Sequence, residues 1–330
     1  MRIAVLGAGA WGTALALTFC HRHEVTLWAR NSKKLCALAR SRINKRYLPG
    51  FVLPRELRLE PDLAGAVNSA DLLLAVVPSS GLRETLKRIN QSGTKPPVIW
   101  ACKGFEAVSA KLPHEVAAEE LGEDYRCGVL SGPSFAEEVA RGLPTAVTLA
   151  SGDASFAAAT AKALHDNRFR VYSSDDVIGV EVAGAVKNVL AIATGICDGM
   201  GFGLNTRAAL LTRGLAEISR LALALDGRME TLMGLGGMGD LILTCTGDLS
   251  RNRRVGLMLA KGHELAGILK ALRHVAEGVN SAGEVRRLAQ RLNVEMPISE
   301  AVCRVLYDSV SPKTAVEELL SREPKAETPR

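Results

Sequence analysis

Three ionisable side chains fall where an apolar pattern gives them no ordinary reason to be. Lys187 interrupts Val182-Ala183-Gly184-Ala185-Val186-Lys187-Asn188-Val189-Leu190, a segment that is apolar nearly all round when wound as a helix. Ala183, Gly184, Leu190 and Ala191, three and four positions away, supply no acid on its own face. Burial lowers a lysine pKa toward the range useful for proton transfer; the competing reading is a lysine snorkelling to the surface along its stem. Lys103 closes the apolar run Val98-Ile99-Trp100-Ala101-Cys102. A solvated strand end would account for it, but Gly104 beside it keeps the backbone clear for a bound group. Asp240 ends the glycine-rich stretch Gly234-Leu235-Gly236-Gly237-Met238-Gly239, where it either caps a helix or holds a lysine amine in place. Next comes the cationic cluster Ser250-Arg251-Asn252-Arg253-Arg254. Such a run is a solvated face or, with Arg and Asn together at a helix start, a grip for a phosphate.

A second constellation lies at the N-terminus. Gly7-Ala8-Gly9-Ala10-Trp11-Gly12 is a G-x-G-x-x-G between a β-rich run and a helical one, with another β-rich run at Glu24–Trp28. Gly7 permits the tight turn, Gly9 lets a pyrophosphate approach the backbone, and Gly12 lets the helix pack on the sheet. The free N–H groups and helix dipole then favour the phosphates. NAD enzymes tend to carry an acid after the second strand for the ribose 2′-hydroxyl, whereas an Arg suits the 2′-phosphate of NADP. This chain reads Trp28-Ala29-Arg30-Asn31, with Lys33 and Lys34 following. Arg30 is either an ordinary surface charge or a phosphate ligand, and the missing acid favours NADPH.

These groups need a scaffold. Short apolar runs at Arg2–Leu6, Glu24–Trp28, Leu72–Val77, Val98–Ala101, Cys127–Leu130, Ala146–Leu149 and Arg170–Tyr172 alternate with helical patterns such as Gly12–Cys20 and Leu82–Ile89. That alternation predicts a parallel sheet covered by helices on both faces. After about Asp176 strand signals stop, and helical periodicity takes over in Ile178–Ile196, Thr206–Leu225, Arg253–Lys261, Ala282–Arg291 and Pro297–Tyr307. The expected organisation is α/β: a Rossmann-type doubly wound sheet domain over 1–178, followed by an all-α domain over 179–330. The tail 322–330, with two prolines and alternating charge, is expected to be disordered. Ligands of such sheets bind at the carboxyl ends of the strands. Val77-Pro78-Ser79, Lys103-Gly104 and Ser131-Gly132-Pro133-Ser134-Phe135 all fall there.

Composition narrows the partners. The 330 residues are 47% hydrophobic but only 4% aromatic, with 31 glycines, which suits close helix packing rather than a base-stacking platform. A net charge of +6, scattered along the chain, favours a small anionic ligand over nucleic acid. No run reaches the ~18 apolar residues of a membrane span. Seven dispersed cysteines without a C-x-x-C predict reduced thiols and a cytoplasmic location. No metal site is expected, because His21 and His23 have no further ligands at zinc spacing.

Jointly the motifs resemble one family, the bacterial-type NAD(P)-dependent glycerol-3-phosphate dehydrogenases. The carriers are residues 7–14, Trp-Ala-Cys-Lys-Gly (100–104), Ser-Gly-Pro-Ser-Phe-Ala (131–136), Val-Lys-Asn-Val (186–189), Gly-Asp-Leu (239–241) with Thr244-Cys245-Thr246, Ser-Arg-Asn-Arg-Arg (250–254) and Val275-Ala276-Glu277-Gly278. The resemblance spans residues 1 to about 320 and implies a C-terminal domain like that of 6-phosphogluconate dehydrogenase. It further implies hydride transfer between NAD(P)H and dihydroxyacetone phosphate, giving the glycerol 3-phosphate used for phospholipid synthesis, in an enzyme expected to be a homodimer. Lys187 would then be the proton acceptor and donor, with Lys103 and Asp240 orienting the substrate hydroxyl or the lysine. Lys103 would also keep a proton off Lys187 by repulsion. Ser250, Arg251 and Asn252 would bind the substrate phosphate, with Gly132 and Ser134 lining the same pocket. Ala10, Trp11, Arg30, Ala136, Val275 and Glu277 would contact the cofactor, as would Lys103 and Arg251 from the substrate side. The chain has Ala10 and Trp11 where the family often has Ser and Phe or Tyr, and Ser134 where Thr is common. The alternatives are a related β-hydroxyacid dehydrogenase, which would need a carboxylate-binding pattern, and a non-catalytic NADPH sensor, which would not need Lys103, Lys187 and Asp240 together.

Overall fold

The computed structural model describes residues 1–272 and 276–323. The strands are β1 (Arg2–Leu6), β2 (Glu24–Trp28), β3 (Ile43–Asn44), β4 (Leu48–Val52), β5 (Arg58–Glu60), β6 (Leu72–Ala75), β7 (Val98–Trp100), β8 (Cys127–Ser131), β9 (Thr145–Ala150) and β10 (Phe169–Ser174). Eight form one sheet in the order β10-β9-β8-β7-β6-β1-β2-β5, while β3 and β4 make a separate hairpin. β1 pairs in parallel with β2 on one side and β6 on the other. The chain therefore leaves β1 in one direction and returns in the other, which opens a crevice beyond its carboxyl end. The glycine loop enters that crevice.

The wholly parallel sheet expected from the sequence needs correction. β8 and β9 pair antiparallel, so β9 and β10, parallel to each other, run against the rest. The connection from β8 to β9 contains only the short helix Ala136–Ala140, which turns the chain back instead of carrying it across. The hairpin β3–β4 and the edge strand β5 gave no apolar run to read; β5 has three residues, of which Arg58 and Glu60 are charged.

The helical part winds around one helix, Val177–Gly199, started by the Asp176 carboxylate accepting from the Gly179 N–H at 2.8 Å. By length and composition this helix could cross a membrane, but 89% of its most apolar window is buried inside the protein. Helices Leu204–Leu223, Asp240–Thr246, Arg251–Ala260, Glu277–Leu292 and Pro297–Tyr307 pack against it. Besides Leu204–Leu223, which starts two residues before Thr206, two of these begin earlier than the periodicity implied. Ser250 accepts from the Arg253 N–H, so the helix starts at Arg251. The polar first turn Glu277-Gly278-Val279-Asn280 hid the start of the other. Of the expected tail, residues 324–330 lie outside the described residues.

Sheet and helices are locked together by a buried carboxylate. Glu181, on the central helix, accepts from Trp100 Nε1 of β7 at 2.7 Å and from the His114 N–H at 3.1 Å. Its burial raises its pKa, against the pull of His114 and Trp100. The bond fixes β7, which leads to Lys103, against the helix that carries Lys187.

Helix Arg251–Ala260 crosses the central helix at a contact that only glycines allow. A Cβ on Gly256 would overlap the Ile192 carbonyl oxygen, and one on Gly195 would overlap that of Arg253. Gly256→Ala must push the helices apart, and overpacking of this kind costs about 1–3 kcal/mol. Denaturant unfolding should show that loss, and the same displacement should weaken whatever Arg251 and Asn252 bind; unchanged stability would mean the crossing tolerates a methyl group.

Candidate active site

Three chain segments that are far apart in sequence meet at one carboxylate. Lys103 follows β7, Lys187 lies mid-way along the central helix, and Asp240 opens helix Asp240–Thr246. Asp240 Oδ2 accepts from Lys103 Nζ at 2.7 Å, and Oδ1 pairs with Lys187 Nζ. The side chains are 19% (Lys103), 5% (Lys187) and 2% (Asp240) exposed. Lys187 therefore does not snorkel. It lacks an acid three or four positions away on its own helix, as the sequence reads, but receives one across the interface. Asp240 is no cap: Gly239 holds that position without a side-chain bond. A wide turn closed by Gly239 N–H to Gly234 O, 3.1 Å, delivers Asp240 to the two amines.

The electrostatics follow from burial and sign. Burial pulls the Lys187 pKa down, Asp240 pulls it back up, and the Lys103 ammonium pushes it down again, with the result at about 7. Burial alone would raise the Asp240 carboxyl, yet the two ammonium groups hold it below its ordinary value. Lys187 also donates to Thr244 Oγ1 at 2.9 Å, and that hydroxyl donates to the Asp240 carbonyl at 2.6 Å. An ammonium has three donors, so Asp240 and Thr244 leave one for a bound molecule.

Around this centre the expected anion-binding residues divide. Arg251 makes no hydrogen bond or ion pair among the described residues. It is solvent-accessible but crowded enough that desolvation lowers its pKa, against the attraction of Glu277. Arg253 is spoken for: Nε donates to Asp198 and Nη1 to Asp248. Ser250 caps the helix. Asn252 donates to Asn188 Oδ1 at 2.8 Å and accepts the Gly278 N–H at 3.0 Å, which leaves one amide hydrogen free. Asn188 in turn donates to the Lys103 carbonyl at 3.1 Å. The Gly132 carbonyl accepts from Lys103 Nζ at 3.1 Å and from Ser134 Oγ at 3.0 Å. Gly132 has φ +137°, and a Cβ there would press on the Val147 backbone at 2.9 Å.

The glycine loop fits a dinucleotide. Gly7 sits at φ +131° against Val76, Gly12 packs against the Gly7 carbonyl, and beyond Gly9 there is open space within 4 Å of where a Cβ would stand. The first N–H groups of helix Ala10–Phe19, including those of Ala10 and Trp11, have no partner within the helix. The Trp11 ring turns away toward Phe169, 6.5 Å between centroids. Ala136 packs in the same apolar cluster as Ala8, Trp11 and Val76. Arg30 is exposed after β2. Glu60, the register partner of Trp28, turns its carboxylate to the Asp62 N–H. Glu277 is partly buried, with its pKa raised by that burial, and its carboxylate stands beside Gly104, Ser79 and Ser281. Val275 lies outside the described residues. Among those described, no group of three or more His, Cys, Asp or Glu side chains gathers for a metal.

Sequence reasoning missed Asn44. Carried by the β3–β4 hairpin, its amide donates to the Ala8 carbonyl at 3.1 Å and to Thr13 Oγ1 at 2.8 Å, while its Oδ1 accepts the Tyr47 N–H at 3.3 Å. It holds the glycine loop at both ends.

Known proteins resemble the chain along nearly its whole length. Residues 2–157 match the family described as NAD-dependent glycerol-3-phosphate dehydrogenase N-terminus, and residues 176–317 match the corresponding C-terminus. A glycerol-3-phosphate dehydrogenase (NAD(P)+) of Aromatoleum aromaticum is 62% identical, covering 99% of this chain and 100% of its own. One of Nitrosospira multiformis is also 62% identical, covering 99% of both chains. The crystal structure of glycerol-3-phosphate dehydrogenase from Coxiella burnetii superposes with a TM-score of 0.93 at 45% identity, over 97% of this chain and 99% of that one.

Asn44→Ala removes the bonds that hold the loop, without touching the crevice itself. Loss of two such bonds costs about 1–2 kcal/mol, or roughly five- to thirtyfold in dinucleotide affinity. Fluorescence titration with NADPH checks this; an unchanged dissociation constant would show that the loop holds its shape unaided.

Proposed function

The chain belongs to the NAD-dependent glycerol-3-phosphate dehydrogenase family, and we propose that within this activity Lys187 moves the proton while Arg251 grips the substrate phosphate. The enzyme is an NAD(P)-dependent oxidoreductase that interconverts glycerol 3-phosphate and dihydroxyacetone phosphate. The observation that carries the assignment of roles is the buried amine of Lys187, set at a pKa of about 7 beside a shared carboxylate.

A nicotinamide dinucleotide held at the glycine loop would supply hydride chemistry at substrate C2. The protein's own groups do the rest. For alcohol oxidation, neutral Lys187 accepts the hydroxyl proton; for ketone reduction, its ammonium form donates a proton to the developing alkoxide. Lys103, fixed by Asp240 and the Gly132 carbonyl, stabilises the same oxygen and holds the Lys187 pKa down. Arg251, which makes no hydrogen bond or ion pair among the described residues, and the amide hydrogen of Asn252 that those residues leave unbonded take the phosphate; Ser250 supports them as the helix cap. Gly9, Ala10, Trp11 and Gly12 offer the backbone N–H groups for the pyrophosphate, and Glu277 and Ala136 line the crevice. The seven unpaired cysteines support a cytoplasmic setting. Spectrophotometric assay of dihydroxyacetone phosphate reduction, with NADPH and NADH in turn, tests the whole reading; no turnover with either cofactor would sink it.

Two predictions follow from the roles. Lys187→Ala should lower kcat by about 10²–10⁴ with the fold intact. In the native enzyme, kcat for reduction should fall as pH rises through about 7, where the ammonium is lost, and kcat for oxidation should rise over the same interval. A flat profile in both directions, or a near-normal variant, removes Lys187 from the chemistry.

The second concerns cofactor choice. Arg30 is exposed beyond β2, and Glu60, the acid across the ladder, is turned to the backbone. An Arg–phosphate contact contributes about 1.5–3 kcal/mol, roughly ten- to a hundredfold in favour of NADPH. Arg30→Asp should weaken NADPH and leave or improve NADH, read from the two cofactor constants. Equal use of both cofactors by native and variant enzyme would make Arg30 a surface charge.

A further inference from the structure

A buried ion-pair network lies behind the phosphate grip, and neither the proton transfer nor the cofactor contacts use it. Asp198 is on the central helix about three turns beyond Lys187 and on the same face. Its side chain is 8% exposed, and each oxygen takes a different arginine. Oδ1 accepts from Arg207 Nε at 2.9 Å, in the first turn of helix Leu204–Leu223. Oδ2 accepts from Arg253 Nε at 2.8 Å, and Arg253 Nη1 reaches the exposed Asp248 at 2.9 Å. The Arg253 side chain is only 11% exposed. Three helices and the loop before the third are thus tied at one carboxylate.

The geometry of an α-helix turns this anchor into an aiming device. Residues two apart point about 200° from each other around the axis. With Arg253 drawn to Asp198, Arg251 leaves the helix on the opposite flank, where it is solvent-accessible and feels the Glu277 carboxylate. The glycine crossing at Gly195 and Gly256 leaves the helix no room to shift sideways, because each would-be Cβ overlaps a carbonyl oxygen of the partner. Rotation is the remaining freedom, and the Asp198–Arg253 pair, beside the Asn252–Asn188 bond, resists it.

We infer that Asp198 is a positioning residue for the substrate phosphate: it sets the rotation of helix Arg251–Ala260 through Arg253 and so aims Arg251 and Asn252. This rests on the reading that Arg251 binds that phosphate. A merely structural role would lower stability or kcat with no preference for the phosphate end. The aiming role instead predicts that everything recognised through phosphate weakens together, and only through Arg251.

The test is a double-mutant cycle with D198N, R251A and the pair. It reads kcat and KM for dihydroxyacetone phosphate, the inhibition constant of inorganic phosphate, and NADPH affinity by fluorescence. D198N should raise KM and the phosphate inhibition constant in parallel by about tenfold, with kcat nearly unchanged and NADPH affinity changed no more than by R251A. In the R251A background D198N should add less than about twofold, since the two act as one unit. R253K keeps the charge opposite Asp198 but loses the fork that also reaches Asp248; it should raise the same two constants, and it decides the matter if D198N does not fold. An equal D198N effect with and without Arg251 overturns the inference, as does a fall in kcat alone. R251A with raised KM beside normal D198N and R253K enzymes overturns it and leaves the phosphate reading standing. R251A with unchanged KM and phosphate inhibition overturns both.

Discussion

One carboxylate, Asp240, shared by the buried Lys187 and the half-buried Lys103, is the interaction around which the rest of the molecule is arranged. An ammonium taken out of water is costly, and two of them near each other cost more. Asp240 offsets both at once, each oxygen meeting a different amine. The three charges come from the end of β7, from the centre of the central helix and from the turn after a glycine-rich bend. Each segment must therefore be held rigidly, because a small displacement would leave an unpaired charge in the core. Glu181 holds β7 to the central helix, and the wide turn before Asp240 is held by Gly237, whose would-be Cβ overlaps the Leu232 carbonyl.

The same constraint explains the distribution of glycine. Where glycine is needed it permits a close approach: loop to sheet at Gly7 and Gly12, helix to helix at Gly195 and Gly256. Gly9 differs, since nothing in the protein stands above it. Within one short motif, two glycines admit protein and one admits a ligand.

What could be read from the chain was what has a local signature. The strand–glycine–helix pattern, the lone lysine in an apolar helix and the Arg-Asn pair at a helix start all carry their meaning within a few residues. The helical half and most strands of the sheet were legible for the same reason. Asn44, Asn188 and Asp198 were not. Asn44 meets Ala8 at a separation of 36 residues, Asn188 meets Lys103 at 85, and Asp198 meets Arg253 at 55. Nothing beside an Asn or Asp in sequence announces a partner so distant. The direction of β9 was hidden differently: alternation of strand and helix looks the same for a crossover and for a return, and only the length of the intervening helix separates them.

These distant contacts link sites that the sequence presents as separate motifs. From the Lys103 carbonyl, hydrogen bonds run through Asn188 to Asn252 and on to the Gly278 N–H, next to Glu277. The chain of amides thus touches the proposed acid–base centre, the proposed phosphate grip and the helix that carries Glu277. Amides suit this place because they carry no charge. A carboxylate at Asn188 would compete with Asp240 for the lysines and raise the Lys187 pKa out of the neutral range. A third cation would drive the same pKa lower and leave the amine unable to hold a proton. With neutral relays around it, the centre carries one net positive charge when Lys187 is protonated and none when it is not. Asp240, held below its ordinary pKa by the ammonium groups, stays charged in both states. Under the proposed role of Lys187, proton transfer in either direction changes the charge of a single buried group, and the network that holds that group in place need not rearrange.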